Sequence, residues 1–191
     1  MKRICVYCAS SPKAADIYKQ SASAIGAVLV ENGYEVIYGG GSIGLMGALA
    51  DSVLAQNGKI TGIIPHFMQE LEWGHPGVEM IEVKNMHERK NLMLEMSDGV
   101  IALAGGCGTF EEIIEAITWK RLGLYNGPAV FLNTNSYYDP IIEQLNKAVD
   151  ENFMNPEHRD LWSVINEPSE VQGVFKNYLP MKNPLSKAAV I

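Results

Sequence analysis

The run Val100-Ile-Ala-Leu-Ala-Gly-Gly-Cys-Gly-Thr-Phe-Glu-Glu112 decides the fold of this chain. It predicts a buried strand that passes through three closely spaced glycines directly into a helix. Gly105, Gly106 and Gly108 lack the Cβ that would hold a ligand away from the backbone, so their amides can point at an anion. The helix predicted to begin near Thr109 adds its unpaired N–H groups and the positive end of its dipole. This turn is therefore a candidate phosphate-binding site.

Two roles are open for Glu112. Thr109 and Glu112 fit the capping-box pattern S/T-x-x-E, in which each side chain satisfies the other's backbone amide. The alternative role is catalytic. Apolar residues at positions 110, 113, 114 and 117 define the buried stripe of the helix, and Glu112 lies nearly opposite that stripe. Glu111, Glu115 and Thr118 share one flank, so these carboxylates are expected to face solvent, a cleft or another subunit.

Composition and charge exclude several classes of protein. The chain has 191 residues, 47% of them hydrophobic, which suits one well-buried domain and is short for two. We expect one domain over 1–180 and a loose tail at 181–191. A formal charge of −7 without a basic stripe disfavours a nucleic-acid surface. There is no apolar signal segment and no stretch long enough to span a membrane, so we expect a cytoplasmic protein that binds no membrane.

The three cysteines do not predict a disulfide framework. Cys5 and Cys8 form a C-x-x-C pair, a spacing found in redox and zinc sites. Within a predicted strand, however, an odd separation sends the two side chains to opposite faces. The chain has no second cysteine pair, and its histidines show no ligand spacing. We therefore expect neither a metal site nor a cofactor.

Strands alternate with helices along the chain. The predicted strands lie at 3–8, 34–38, 59–64, 79–83, from 100 and at 128–132, with a short extended piece at 161–165. The predicted helices lie at 15–32, 45–56, 85–97, from 109, at 137–152 and at 168–178. This alternation implies right-handed crossovers and a parallel sheet with helices on both faces. The fold class is therefore α/β, a doubly wound Rossmann-like sheet.

Two further loops are candidate ligand sites. Ser10 and Ser11 lie in a turn after the first strand, which is either a ligand loop or a plain strand-to-helix connection. After the second strand, the run Gly39-Gly-Gly-Ser-Ile-Gly-Leu-Met-Gly47 leads into a helix. Three of its glycines match the G-x-G-x-x-G spacing of dinucleotide-binding turns, although not in the usual place after the first strand. Each glycine-rich turn costs conformational entropy on folding. The presence of two such turns in one small domain therefore favours a ligand-binding role over a chance match to the spacing.

The helix predicted at 85–97 carries two cations on an unexpected face. Arg89 and Lys90 lie on the same side as Met86, Met93 and Ser97 rather than on the polar side. Single basic residues usually extend to water, so a pair on the less polar side favours an anionic partner over a solvated face.

The motifs together resemble those of a known family. Met86-His-Glu-Arg-Lys90 and Gly105-Gly-Cys-Gly-Thr-Phe-Glu-Glu112 resemble the M-x-x-R-K and P-G-G-x-G-T-x-x-E signatures of the Lonely Guy family. The likeness runs from the first strand to about residue 152 and includes 5–11, 39–47 and 117–119. Members of this family are phosphoribohydrolases that release cytokinin bases from riboside 5′-monophosphates, and they are often mislabelled lysine decarboxylases. Ala104 replaces the family's usual proline, and Ala9 replaces a common glycine.

The resemblance implies a site and an assembly. Arg89 and Glu112 would be the catalytic pair, and Glu70 resembles a glutamate used near the base or ribose. Family members are typically homodimers with active sites near the subunit contact. The candidate substrate-binding residues are Ser10, Ser11, Gly40, Gly41, Gly44, Met46, Gly47, Glu70, Lys90, Gly105, Gly106, Cys107, Gly108, Thr109, Glu111 and Thr118.

Three functional hypotheses follow. The first is hydrolysis of the N-glycosidic bond of a purine nucleoside 5′-monophosphate, AMP or a cytokinin-type relative, with Glu112 stabilising positive charge on the ribose. The second is a nucleotide carrier or sensor that uses the same loops without turnover. The third is a pyridoxal-phosphate decarboxylase, which requires a Schiff-base lysine, and no lysine here has a recognisable context for that role.

Overall fold

The computed structural model describes residues 2–69 and 74–180. The strands are β1 (Arg3–Tyr7), β2 (Glu35–Tyr38), β3 (Ile60–Pro65), β4 (Glu79–Val83), β5 (Gly99–Ala102), β6 (Ala129–Leu132) and β7 (Ser163–Ile165). The helices are α1 (Asp16–Glu31), α2 (Gly44–Ala55), α3 (Met86–Glu95), α4 (Cys107–Arg121), α5 (Asp139–Asp150) and α6 (Val171–Asn177). Gly33 ends the first helical segment with a φ of 75°, a left-handed conformation that glycine adopts without strain.

The seven strands form one sheet in the order β4-β3-β2-β1-β5-β6-β7. Each neighbouring pair is parallel, which confirms the predicted α/β class. After β1, the strands β2, β3 and β4 are added in turn toward one edge of the sheet. The chain then returns to the other side of β1 with β5 and continues outward to β7. The direction of winding therefore reverses between β1 and β5, and in open parallel sheets such a reversal opens a crevice at the carboxyl ends of the strands.

Helices cover both faces of the sheet, as predicted. The central strand β1 alternates its side chains between two apolar clusters, with Ile4 and Val6 on one face and Cys5 and Tyr7 on the other. Helices α1, α2 and α6 contribute to the first cluster, and α3, α4 and α5 contribute to the second. Cys8 belongs to the first cluster, so the C-x-x-C pair is split between opposite faces as expected.

The end of the described chain differs from the prediction. The extended piece at 161–165 contributes a true edge strand, because β7 pairs with β6 from Ser163 to Ile165. The last helix starts three residues later than predicted, after a 3₁₀ turn at Pro168–Glu170. The helical spacing in α5 predicts a buried face of Ile141, Ile142, Leu145 and Val149, but only Val149 of these is buried and the other three are partly exposed. The predicted tail at 181–191 lies outside the described residues. No helix in the two described ranges is both long and apolar enough to cross a membrane.

Candidate active site

The candidate site lies at the reversal of the sheet, where the loops after β1 and β5 meet. Residues from these loops and from α2, α3 and α4 line a cavity of about 330 Å³. The lining residues are Cys8, Ala9, Ser10, Ser11, Met46, Met68, Met86, Arg89, Gly106, Gly108, Thr109, Glu111 and Glu112. Arg89 and Glu112 therefore face one shared cavity, although 23 positions separate them in the sequence.

Cavity size alone does not identify this site. A cavity of about 380 Å³ lies at the amino ends of β5 and β6, lined by residues that include Asp98, Tyr125 and Gly127. That cavity contains no cation and no helix N-terminus, whereas the smaller one contains both. The chemistry of the lining residues favours the cavity at the carboxyl ends of the strands.

Arg89 is buried and held by the backbone of two strands. Asn85 begins α3 by accepting a hydrogen bond from the N–H of Glu88 at 3.0 Å. One turn later, Arg89 is only 4% exposed. Its Nε donates to the carbonyl oxygen of Ile63 at 3.0 Å, and its Nη2 donates to the carbonyl oxygen of Gly39 at 2.9 Å. The guanidinium is therefore fixed in position before any ligand arrives.

The remaining nitrogen of Arg89 has only weak partners. Nη1 lies 3.8 Å from Sδ of Met68 and 3.9 Å from Sδ of Met86. Thioether sulfur is a poor hydrogen-bond acceptor. Because both methionines also line the cavity, this nitrogen is the part of the guanidinium that a ligand oxygen would reach.

The start of α4 provides a second binding element. Gly106 is the N-cap residue, and no side chain caps the helix. The amides of Cys107, Gly108 and Thr109 follow, and the first amides of a helix have no intrahelical acceptor. A Cβ built on Gly106 or Gly108 would meet no atom within 4 Å, so both glycines border open space. The helix therefore presents free amides and the positive end of its dipole to the cavity.

Gly105 has a different reason for being glycine. A Cβ at this position would collide with Oγ1 of Thr109. The side chain of Thr109 thus folds back over the turn, where it is 95% buried and lines the cavity. Gly105 allows the loop to pack against its own helix, and Gly106 and Gly108 leave room for a ligand.

Glu112 is not a capping residue. The helix begins at Cys107 with Gly106 as its cap, so Thr109 is the third helical residue and Glu112 the sixth. The capping-box interpretation was therefore wrong, because the helix starts three residues earlier than the pattern suggested. Glu112 is half-buried in the cavity wall. Burial raises the pKa of the Cys5 thiol, and the negative charge of Glu112 raises it further.

Lys90 is paired within the chain. Its ammonium forms salt bridges with Glu111 and, at 3.1 Å, with Glu115 on α4. Partial burial lowers the pKa of Lys90, but the hydrogen bonds and charges of the two glutamates outweigh it and raise the pKa overall. The anionic partner that the sequence suggested for Lys90 is therefore present in α4. Glu111 also lines the cavity, whereas Lys90 is not among the lining residues.

The second glycine-rich turn packs inside the protein. The first amides of α2, at Leu45 and Met46, donate to the carbonyl oxygen of Ala9 at 3.0 and 3.3 Å. Gly44 has a φ of 65°, and a Cβ there would lie 2.6 Å from the backbone of Ser10. This turn therefore supports the loop after β1, and the amides of Leu45 and Met46 are already used. Gly40, Gly41 and Gly47 also contact other parts of the protein, and Met46 alone of these candidates lines the cavity.

The remaining candidates are spread around the site. Ser10 and Ser11 line the cavity. Cys107 is an exposed free thiol at the first position of α4. Thr118 is exposed three turns along the helix, and its hydroxyl donates to the carbonyl oxygen of Ile114 at 2.9 Å. Glu70 lies outside the described residues.

Several residues at the site were missed by the sequence analysis. Met68 lines the cavity from the loop after β3, without any motif to mark it. Tyr137 and Tyr138 support the turn after β5 through their hydroxyl groups. A positional signal for the tyrosines was present, because both follow β6 at the edge of the sheet where the carboxyl ends meet. Among the described residues, no three histidine, cysteine, aspartate or glutamate side chains are close enough to hold a metal ion.

Comparison with known proteins identifies the family. A family model described as "Possible lysine decarboxylase" matches residues 46–174. A cytokinin riboside 5′-monophosphate phosphoribohydrolase of Arabidopsis thaliana is 38% identical over 183 residues, covering 95% of this chain and 80% of the relative. The chain belongs to this family. The phosphoribohydrolase LOG of Oryza sativa subsp. japonica is 40% identical over 182 residues, covering 94% of this chain and 74% of the relative.

Membership of the Lonely Guy family makes the chain a hydrolase. The similarity extends well beyond residue 152, where the likeness in the sequence motifs ended. Among solved structures, a molybdenum cofactor binding protein of Rippkaea orientalis matches with a TM-score of 0.68 at 19% identity, covering 92% of this chain and 96% of the other. The molybdenum cofactor carrier protein of Chlamydomonas reinhardtii matches at 0.66 and 20% identity, covering 92% and 97%. At this identity the likeness establishes the fold alone.

Proposed function

We propose that this protein hydrolyses the N-glycosidic bond of purine nucleoside 5′-monophosphates, cytokinin-type ribosides or AMP, and releases the free base and ribose 5-phosphate. The observation that carries the proposal is the composition of one cavity. A fixed guanidinium, a carboxylate and an uncapped helix N-terminus all line it. The relatives named above act on cytokinin riboside 5′-monophosphates, which supports the same substrate class here.

The phosphate is assigned to the start of α4. The amides of Gly106, Gly108 and Thr109 and the helix dipole stabilise an anion there. The serine hydroxyls of the loop after β1 border the same space and are suitable donors to phosphate oxygens. A phosphate held at this turn places the ribose farther along α4, toward Glu112.

Glu112 and Arg89 are assigned to the reacting end. As the bond between C1′ and the base nitrogen breaks, the base takes the electron pair and the ribose becomes positively charged. The Glu112 carboxylate stabilises that charge and orients the water that attacks C1′. Arg89 uses its cavity-facing nitrogen to hold a hydroxyl or anionic group of the substrate, and its two bonds to backbone carbonyls fix that nitrogen in place.

The test is release of free base from AMP and from isopentenyladenosine monophosphate by the purified protein. Glu112→Gln keeps the size of the side chain but removes its charge, and we expect turnover to fall roughly 10²- to 10⁴-fold. Glu143→Gln is the matched control, because Glu143 is an exposed carboxylate on α5. The control should keep wild-type turnover.

Two results would overturn the proposal. Equal turnover in the Glu112 variant and the control would remove the carboxylate from the mechanism. Thermal stabilisation by nucleotide without any product from either substrate would instead indicate a nucleotide carrier.

The decarboxylase chemistry named by the family model lacks support at this site. None of the described residues that line the cavity is a lysine. Lys90 is engaged by two glutamates, and Lys120 is buried with its ammonium 5.0 Å from the centre of the Tyr178 ring. Neither lysine is presented to the cavity for a Schiff base.

We also propose that the protein works in the cytosol as a homodimer. The three cysteines are all free, which suits a reducing compartment. The polar flank of α4 carries Glu111, which lines the cavity and has a side chain 54% exposed, and the exposed Thr118. A second copy docked along this flank would lie next to the site. Light scattering coupled to gel filtration should give a mass near twice 21.0 kDa, and a monomeric mass would contradict this assembly.

A further inference from the structure

Two consecutive tyrosines hold the backbone of the turn that leads into α4. The hydroxyl of Tyr137 donates to the carbonyl oxygen of Gly105 at 2.6 Å. The hydroxyl of Tyr138 donates to the carbonyl oxygen of Leu103, also at 2.6 Å. Tyr138 is fully buried, and its bond lies deeper in the fold than that of Tyr137. The Tyr137 bond acts on the peptide directly before the N-cap residue.

The geometry of a peptide unit gives the Tyr137 bond its significance. In a trans peptide the C=O and the following N–H point in opposite directions. When Tyr137 fixes the carbonyl oxygen of Gly105, it therefore also fixes the direction of the Gly106 N–H. Within 2–69 and 74–180, no group accepts a hydrogen bond from that N–H. Gly106 itself lines the cavity, so this amide is one of the donors available to a ligand anion.

Two other contacts lie beside this peptide: the side chain of Thr109 packs on Gly105, and the N–H of Phe110 donates to the carbonyl oxygen of Gly106 at 3.0 Å. A Cβ at Gly106 would meet no atom, so the space on that side of the residue is open. Two adjacent glycines also give the turn more conformational freedom than other residue pairs. Ala104, which precedes them, has none of the restriction on φ that a proline would bring. Neither contact acts on the Gly105 carbonyl oxygen, which accepts the hydrogen bond from the Tyr137 hydroxyl.

The Tyr137 ring is itself well fixed. It packs edge-on against Tyr18, with ring centroids 5.6 Å apart, and against Tyr138 at 5.3 Å. Phe110 on α4 lies on another side at 6.3 Å. Aromatic contacts of this kind hold a ring in one orientation, so the hydroxyl reaches Gly105 from a rigid support.

We propose that Tyr137 is a positioning residue, which orients the Gly105–Gly106 peptide so that the Gly106 N–H faces the substrate phosphate. The inference rests on the proposed function for the identity of the anion. Tyr137 touches neither the ribose nor the base in this arrangement, so it acts on binding of the phosphate and not on bond cleavage.

The variant that tests this is Tyr137→Phe, which keeps the ring and its aromatic contacts and removes the hydroxyl. We expect KM for the nucleoside monophosphate to rise about tenfold while kcat stays within about twofold, because the lost interaction is made equally in the ground and transition states. Competitive inhibition by inorganic phosphate should weaken by about the same factor. Tyr18→Phe is the control, since Tyr18 belongs to the same aromatic group but its hydroxyl accepts a hydrogen bond from Asn135 instead of donating to the turn.

A further measurement separates this proposal from the proposed function. The amide signal of Gly106 in wild-type protein, followed by NMR during titration with inorganic phosphate, should shift strongly, and in Tyr137→Phe the titration should need about tenfold more phosphate. The NMR titration requires no turnover, so it tests the role of Tyr137 even if the protein releases no base. An unchanged Gly106 signal in the wild type would overturn the proposal. Equal KM and equal phosphate affinity in Tyr137→Phe and wild type would also overturn it.

Discussion

Lys120 is a buried cation without a described counter-charge. The residue is 4% exposed, and no carboxylate in the described part of the chain lies within 4 Å of its ammonium. Its neighbour is the ring of Tyr178, 5.0 Å away, which stabilises a cation by roughly 1 kcal/mol. Burial lowers the pKa of Lys120 to about 8. The folded protein therefore binds this proton less tightly than the unfolded chain does.

The sign of the pH effect follows from that difference. Below about pH 8 the Lys120 ammonium is protonated in both the folded and the unfolded protein, and the folded protein is destabilised by the full cost of a buried charge. Between about pH 8 and pH 10 the unfolded chain binds more protons, so the contribution of Lys120 to the unfolding free energy becomes less unfavourable as pH rises. We expect Lys120→Met to raise the unfolding free energy by roughly 2 kcal/mol at neutral pH. Urea denaturation at several pH values should show this gain shrinking toward about pH 9.5. A gain independent of pH would contradict the assignment.

The sequence showed which basic residues lie on an unexpected face of their helix, but it did not show which groups they contact. Helical spacing placed Arg89 and Lys90 on the less polar side of α3, and both are indeed largely buried. Arg89 binds carbonyl oxygens 26 and 50 positions away, and Lys90 binds a glutamate 21 positions away. Partners at such distances are set by which strands become neighbours, and the period of a single helix holds no information about that.

The two glycine-rich turns show how elements with similar sequences take different roles. Both end a strand and begin a helix. The first amides of α2 are occupied by the carbonyl oxygen of Ala9, whereas α4 begins without a side-chain cap beside a cavity. The pattern predicted both turns as ligand loops. It could not distinguish them, because the loop after β1 closes over α2 only once β1 and β2 are paired.

Gly108 gives a prediction for the α4 element. It lies inside the helix, and a Cβ there would meet no atom. We expect Gly108→Ala to leave the unfolding free energy unchanged or raise it by up to about 1 kcal/mol, since alanine favours helix. The added methyl would point into space that a bound phosphate needs, so KM should rise at least about tenfold. Denaturation and steady-state kinetics measure the two effects.

A matched control exists in α6. Gly173 is also an exposed helical glycine whose Cβ would meet no atom, and it lies outside the cavity lining. Gly173→Ala should give a similar change in stability with unchanged KM. If both variants keep wild-type KM, the space beside Gly108 is not used by the substrate.

At the scale of the whole molecule, the fold was largely predictable. Alternating strand and helix patterns gave a parallel sheet covered on both faces, and most boundaries agree within two residues. The order of the strands was not predictable in this way, because periodicity does not say on which side of β1 the chain will place β5. That choice creates the crevice in which the loops after β1 and β5 meet. The sequence therefore predicted which residues form the candidate site, but it did not predict where in the sheet they meet.

Arg89 connects three elements of the molecule, because α3 carries it while β2 and β3 hold it. Gly39, at the end of β2, would bring a Cβ into collision with Nη2 of Arg89 if it were alanine. We expect Gly39→Ala to lower activity about as severely as Arg89→Ala. In the Arg89→Ala background, Gly39→Ala should add little, giving a coupling free energy of roughly 1–3 kcal/mol in a double-mutant cycle. Additive effects would show that the new methyl is accommodated elsewhere.

The missing Cβ at Gly39 has an evolutionary consequence. Its nearest neighbours would be the guanidinium of Arg89 and the methyl group of Met46, so the space next to this strand end is reserved for those side chains. A lineage that keeps the arginine is confined to glycine at position 39, and one that loses the arginine is released from that constraint. Among descendants of this gene, position 39 should change only where position 89 has changed.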